Sequence, residues 1–473
     1  MKNINIKYTL IFLLISAGFM ACQDDYDDQQ TSEQDIKNFI WNGLNDYYLW
    51  QPEEPLLADD RFPNTWQLDT FLEGYETPNE LFEELLVART TDRFSVMYSD
   101  YLVLESLLQG SALSSGIDYE LRYTDDTQTN VFGWVRYVLP NSDAANKGIT
   151  RGMIFYAVNG TQLTASNYRS LLTGTNYSLH FANYNNGNIT SNGQIVNLNL
   201  TNVPENPVYA VNIFEQGSKK IGYILYNGFY QNYEAPLNDA FAQLKAENAT
   251  HLILDLRYNS GGSIATATRL ASMITGQFSG QIFGKQLWNP KVMAEFGADS
   301  ETFINRFTNY ISNGSAIQSL NLTKVYVLTS PRTASASELL INNLKPYINV
   351  VQIGEKTTGK NVGSITLYDS QGYNRPTGAV NHRYAMQPIV LKMVDKNNFG
   401  NYSNGLQPHV PFIEDLGNLG VLGTASEPFL QTALQYIQNT NGRLAAPKTT
   451  PIHHTYLNDR KSMQPLGNEM YLD

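Results

Sequence analysis

The chain has 473 residues, 42% of them hydrophobic and 16% charged, with a formal net charge of −12. That length suits two or three folded units, and 30 tyrosines among 12% aromatic residues mark a packed protein and not a disordered one. The acidic balance argues against nucleic acid or an anionic membrane surface as the main partner.

At the N-terminus, Lys2 and Lys7 flank the start of a nearly continuous apolar run from Leu10 to Ala21. The run is too short for an ordinary membrane span and has the pattern of a secretory signal. It ends before Cys22, the single cysteine of the chain. Residues 1–21 with Cys22 resemble a bacterial lipoprotein signal. The resemblance implies lipidation of Cys22, membrane attachment through it, and a place in the cell envelope on the periplasmic or cell-surface face of an outer membrane. Residues 22–35 form an acidic tether with no basic residue before Lys37; like charges extend such a segment. Acidic residues directly after the cysteine also look like the surface-export signal of Bacteroidetes lipoproteins. A lone cysteine carrying lipid leaves no thiol for a disulfide or for cysteine catalysis.

Ile36, Phe39, Ile40, Leu44 and Tyr47 fall at helical spacing, and Leu81, Phe82, Leu85 and Leu86 predict a second helix over 79–88. Residues 36–105 therefore read as a small helical region. Residues 108–200 are strand-rich, and Asn159-Gly160 signals a tight turn between strands. From Lys219, strands and helices alternate through 221–226, 237–244, 251–256, 265–274, 325–328, 337–344 and 350–353, the logic of an α/β fold. Ser426 is placed to cap a closing helix over 427–438, with Pro428 tolerated in its first turn. The polar stretch 439–473, with His453 and His454, reads as a solvated tail that frays.

The chemistry concentrates at two positions. Ser335, in Thr333-Ala334-Ser335-Ala336-Ser337-Glu338, lies where an apolar strand meets a helix, a junction that presents a hydroxyl beside backbone N–H groups. None of the six histidines sits in a recognisable triad setting, so a lysine is the better candidate base. Lys360 follows Gly359 after a second apolar run, among the uncharged Thr357, Thr358, Asn361, Val362 and Gly363. A free lysine, with a pKa of about 10.4, is neutral only about once in a thousand near pH 7.4. Burial can lower that value by roughly 3–5 pH units.

These two segments, with Asp255-Leu256-Arg257-Tyr258-Asn259-Ser260-Gly261-Gly262 upstream, resemble the C-terminal processing (tail-specific) serine peptidases of the S41 family. The resemblance runs in domain order over roughly residues 36–437. It implies that Ser335 is the nucleophile and Lys360, 25 residues later, its general base. It implies an oxyanion hole from Gly261 or Gly262 with the Ala336 N–H, and no metal or organic cofactor. The family often has a glutamine four residues after the lysine; here Ser364 stands there and would orient Lys360 with a shorter reach. The implied fold is a ClpP/crotonase-like peptidase core over 210–438 carrying an inserted PDZ-like domain over 108–200. In that domain Ser115, Gly116 and Ile117 resemble the carboxylate-binding loop. Asp255 and Arg257 read as a structural pair, and Phe229 and Tyr230 as core.

The function so implied is a serine endopeptidase acting on C-terminal or unfolded polypeptide segments. Two alternatives stand beside it. One is a catalytically weak or inactive peptide-binding lipoprotein, favoured by Ser364. The other is a crotonase-type acyl enzyme, disfavoured by the export signal because coenzyme A thioesters are intracellular.

Overall fold

Strands that are apolar on both faces need cover on both, and the central sheet is built from such strands. Its order is Val208–Gln216, Lys219–Tyr226, His251–Asp255, Lys324–Thr329, Asn349–Gly354 and Val410–Pro411; the first pair is antiparallel and the rest are parallel. Alternation along Lys219–Tyr226 sends Ile224 and Tyr226 to one face and Ile221, Tyr223 and Leu225 to the other. Helices Glu234–Ala246, Ile264–Thr275 and Ala336–Leu344 cover the first face through Leu237, Phe241, Leu270 and Leu339. Helix Pro428–Gln438 covers the second through Phe429, Leu430, Leu434 and Ile437. This structure, a computed structural model, describes residues 33–439 except 298, together with 452, 454–464 and 467–472. The signal segment, Cys22, most of the acidic tether and His453 lie outside the described residues.

A second six-stranded sheet lies over the ends of the central one, in the order Gly262–Ser263, Met470–Tyr471, Val362–Ser364, Ile389–Val394, Ile282–Trp288 and Ile304–Arg306. A separate antiparallel sheet holds Ile117–Tyr123, Val131–Val138, Ile154–Val158, Asn176–Asn185 and Asn188–Asn199 around its own core of Tyr119, Leu121, Phe155 and Leu179. Its expected tight turn is present: Asn159 and Gly160, with φ of 51° and 77°, join Ile154–Val158 to Thr161–Gln162.

The N-terminal region is helical, with Glu33–Tyr47, Thr65–Glu73 and Pro78–Glu84 around Phe39, Ile40, Leu44, Leu72 and Leu81. Glu33 and Asp35, expected at the end of the tether, instead form the first turn of a helix, where its dipole favours acidic side chains. The second predicted helix ends at Glu84 and not at 88.

Two further expectations are corrected. The closing helix is capped by Glu427, whose carboxylate accepts the Leu430 N–H at 2.7 Å, whereas the Ser426 hydroxyl meets Thr424 at 3.3 Å. Pro428 takes the first helical position, so the cap falls on the residue directly before it. The second correction concerns the distal stretch. Tyr456–Asp459 adds an antiparallel strand beside Ile117–Tyr123, and Met470–Tyr471 runs between Gly262–Ser263 and Val362–Ser364. Buried apolar Met470 and buried charges at Asp459, Lys461 and Glu469 hold it in place.

Asp255 and Arg257 do form a structural pair. The fully buried Arg257 reaches Asp255 at 2.7 Å, Glu427 at 2.8 Å and Glu414 at 3.0 Å, and Tyr223 donates to Asp255 at 2.8 Å. Glu414 also takes Arg151, in the turn before Ile154–Val158 of the separate sheet, at 2.6 Å. Removing one partner from such a group strands the others in low dielectric. Arg257→Met should therefore lower unfolding free energy by about 3–5 kcal/mol in a denaturant titration, and a change under about 1 kcal/mol would contradict this reading.

Candidate active site

Ser335 closes the loop after Lys324–Thr329 and directly precedes helix Ala336–Leu344. Its φ of 62° and ψ of −116° lie in territory that costs a side-chain-bearing residue energy, and such strain persists only where neighbours enforce it. The enforcement is visible. The Ser335 N–H donates to Glu338 at 2.9 Å, and the Asn259 carbonyl accepts the Ala334 N–H at 3.2 Å and the Ser337 hydroxyl at 3.1 Å. Ser335 is fully buried, and its Oγ makes no hydrogen bond.

Lys360 lies in the loop after the neighbouring strand Asn349–Gly354 and is also fully buried. The Glu338 carboxylate ties the two loops together: it accepts the N–H groups of Gly359 at 2.7 Å and Lys360 at 2.8 Å, and the Thr357 hydroxyl. One oxygen, Oε2, therefore serves the main-chain nitrogens of both Ser335 and Lys360. Burial raises the pKa of Glu338, and the Thr357, Lys360, Ser335 and Gly359 hydrogen bonds work against that rise. The side chain of Lys360 rests 4.4 Å from the Phe94 ring centroid, and Arg93 donates to the Gly359 carbonyl at 2.7 Å. Asp92 fixes that supporting turn by accepting the Ser95 N–H at 2.9 Å and the Tyr48 hydroxyl at 2.8 Å.

Burial holds the Lys360 amine below the ordinary lysine range, while Glu469, with Oε2 at 3.2 Å, pulls the other way by favouring the ammonium. Ser364 does not contact Lys360 directly. Its hydroxyl lies 3.1 Å from the same Glu469 oxygen and 3.2 Å from the Met470 carbonyl, two acceptors for its one proton. Glu469 Oε2 thus lies between the Ser364 hydroxyl and the Lys360 amine.

The glycine turn packs against Ser335. A Cβ on Gly261 would sit 2.7 Å from the Ser335 Cβ, and φ of 118° at Gly261 and 137° at Gly262 suits glycine alone. The two N–H groups point differently. Gly261 donates to Asn259 Oδ1 at 2.9 Å, so its donor is spent within the turn. Gly262 donates outward, to the Glu469 carbonyl, at 2.6 Å. Ala336 is buried immediately after Ser335 at the start of its helix. Phe229 is core, its carbonyl taking the Ser263 N–H at 2.8 Å, while Tyr230 lines a small cavity beside Gly261 and Gly262. Among the described residues no group of three His, Cys, Asp or Glu converges on a metal position.

Ser115, Gly116 and Ile117 lie in the separate sheet. The Gly116 N–H donates to Ser114 Oγ at 2.9 Å, the Ser115 carbonyl accepts from Ala144 at 2.9 Å, and Ile117 is core. These groups are satisfied internally, and added strand pairing occurs along Ile117–Tyr123 instead.

The sequence reading gave no role to Glu338, Phe94 or Glu469. Glu338 had a signal, since Ser-x-x-Glu at a helix start is a capping-box spacing. Phe94 and Glu469 had none, because their partners are far away in sequence.

Comparison with known proteins bears on the family of the chain. The Peptidase family S41 model matches residues 220–379, and the Peptidase S41 N-terminal domain model matches residues 35–96. The chain belongs to peptidase family S41. It is 31% identical over 158 residues to a carboxyl-terminal-processing protease of Picosynechococcus, covering 33% of this chain and 32% of that protein. It is 26% identical over 309 residues to a chloroplastic C-terminal processing peptidase of Tetradesmus obliquus, covering 61% of this chain and 62% of that one. The chain thus spans less than two thirds of the length of either curated relative. A Bacteroides fragilis protein assigned to the S41 proteases has a crystal structure that superposes with a TM-score of 0.65 at 26% identity, over 84% of this chain and 96% of its own.

Replacing Glu338 with Ala would leave three buried N–H donors without an acceptor, each worth about 1–3 kcal/mol. Glu338→Ala should lower the melting temperature and speed amide exchange at both Ser335 and 359–360. Exchange altered at only one of the two loops would show that Glu338 does not couple them.

Proposed function

We propose that the chain is a serine endopeptidase with a Ser335–Lys360 dyad, acting on C-terminal or unfolded segments of polypeptides. The observation that carries it is the single Glu338 oxygen holding the backbone of a strained, buried serine and of a buried lysine together. In the reaction, neutral Lys360 Nζ takes the Ser335 hydroxyl proton as Oγ attacks a peptide carbonyl. The developing oxyanion lies within reach of the outward Gly262 N–H, with the Ala336 N–H beside it. Lys360 then returns the proton to the leaving amine, and water releases the acyl group from Ser335. Ser364 acts on the lysine through whatever carboxyl or carbonyl oxygen lies between them.

The substrate enters as a strand. The space between the edges of Gly262–Ser263 and Val362–Ser364 is one strand wide, and a polypeptide placed there has its carbonyl at Gly262. The inserted sheet is read as PDZ-like, with the edge of Ile117–Tyr123 pairing an extended peptide by β-augmentation. The signal pattern of residues 1–21 and Cys22 supports an exported, lipid-anchored enzyme of the cell envelope. A second reading, a non-catalytic peptide holder, draws support from one fact: Ser335 Oγ has no hydrogen bond to Lys360 in this state.

Ser335→Ala and Lys360→Ala should each cut the cleavage rate of an unfolded polypeptide by roughly a thousandfold or more while leaving the fold intact. Equal cleavage by wild type and Ser335→Ala would overturn the dyad. Because the neutral amine is the active form and burial lowers its pKa, kcat/KM should rise with pH through a midpoint below the ordinary lysine range. A profile flat from pH 6 to 10, around the roughly 10.4 of free lysine, would remove Lys360 from the base role.

A further inference from the structure

Residues 454–464 and 467–472 fill both places that the peptidase reading assigns to a substrate, and the proposal below rests on that reading. Tyr456–Asp459 pairs antiparallel with Ile117–Tyr123, Leu457 packs on the core of the inserted sheet, and Asn458 donates to the Tyr168 hydroxyl at 3.1 Å. Tyr168 opens the short helix Tyr168–Leu172, so this strand occupies the groove between sheet edge and helix. From there the chain is steered by charge. Asp459 lies 2.8 Å from Arg332, three residues before Ser335, and 3.5 Å from Arg136 of the inserted sheet. Lys461 meets Glu205 at 3.3 Å and the Asn227 carbonyl at 2.9 Å.

Beyond these anchors the segment enters the cleft. Met470–Tyr471 completes the sheet between Gly262–Ser263 and Val362–Ser364, parallel to both, and the Leu472 N–H donates to the Ser364 carbonyl at 3.1 Å. The Glu469 carbonyl takes the Gly262 N–H at 2.6 Å, where a scissile carbonyl would lie. The Glu469 carboxylate meanwhile holds Lys360 Nζ at 3.2 Å and leaves Ser335 Oγ without a partner. A base must be neutral and must face its nucleophile; an ion pair to a carboxylate opposes both conditions.

We propose that residues 454–464 and 467–472 are an intramolecular pseudosubstrate that occupies the peptide edge of the inserted sheet and the catalytic cleft together, and keeps the enzyme latent until a polypeptide displaces it. The opposing role for Glu469 is that of a positioning residue for Lys360, standing in for the family's glutamine. The two roles predict opposite signs.

Deleting the segment would uncover the core around Met470, so the test uses Glu469→Gln and Asp459→Asn in the full chain. With an unfolded carboxymethylated protein as substrate, each should raise the initial rate by about 5- to 150-fold, the range of ordinary coupling between sites. Glu469→Gln should also move the pH midpoint of kcat/KM downward, and Asp459→Asn should not. A fall in rate with Glu469→Gln would overturn latency in favour of positioning. In parallel, amide exchange is followed in Ser335→Ala, which needs no turnover. Amides of 457–459 and 470–472 should be protected in the free chain and lose protection when the unfolded protein is added at saturation. Unprotected amides in the free chain, or protection unchanged by that protein, would overturn the proposal. Displacement with every variant inert would uphold the occupied track and overturn the peptidase reading alone.

Discussion

One carboxylate fixes the geometry on which everything else in the cleft depends. Glu338 sits in the first turn of helix Ala336–Leu344, where the helix dipole favours an anion, and it is almost wholly removed from water. A buried charge needs donors, and the only way to supply enough of them is to bring two loops to it. Ser335 comes from the loop after one parallel strand, and Thr357, Gly359 and Lys360 come from the loop after the next. The same satisfaction that makes Glu338 tolerable forces Ser335 into positive φ. The strain at the serine and the placement of the lysine are two results of one requirement.

The glycine turn is held to this unit by Asn259, whose side chain and main chain act on different partners. Its amide donates to the Tyr226 carbonyl at 2.9 Å and its Oδ1 accepts from Gly261, while its own carbonyl receives Ala334 and Ser337. Gly261 therefore uses its N–H internally and Gly262 faces the cleft. A second buried cluster, Arg257 with Asp255, Glu414 and Glu427, ties the separate antiparallel sheet to the core through Arg151. Neither cluster touches a reacting atom, yet together they decide where the donor and the strand edge point.

Legibility in the sequence followed the range of the interactions. The α/β alternation, the Asn159-Gly160 turn and the serine at the strand–helix junction rest on neighbours within a few residues, and the structure places them as expected; Lys360 comes near only through Glu338, and its amine makes no hydrogen bond with Ser335 Oγ. The cap of the closing helix was missed by one residue because Glu427 serves both the helix and Arg257, a demand invisible locally. Asn176–Asn185 and Asn188–Asn199 fall inside the stretch read as strand-rich, but their polar, Asn-rich exposed faces left their bounds unread, although Tyr177, Leu179 and Phe181 alternate inward. The largest error was the distal segment. Asp459, Lys461 and Glu469 look like solvated tail residues until their partners Arg332, Glu205 and Lys360 are found, each more than a hundred residues away.

That segment also answers a question the sheet itself raises. With Met470–Tyr471 absent, Gly262–Ser263 and Val362–Ser364 would present facing edges with unpaired N–H and C=O groups, and such edges recruit any extended chain. If the cleft takes extended polypeptides, as proposed, it has to keep its edges open to pairing and cannot protect them with bulges or charges without losing that use. Filling it with the protein's own chain removes the liability at small entropic cost, because a tethered strand pays little of the translational and rotational entropy that a free one does. The choice of Glu469 for the position beside Lys360 then matters more than the strand pairing. On the proposed dyad, main-chain pairing alone would make a substrate of the segment, whereas a carboxylate on Lys360 would oppose proton transfer while the edges stay satisfied.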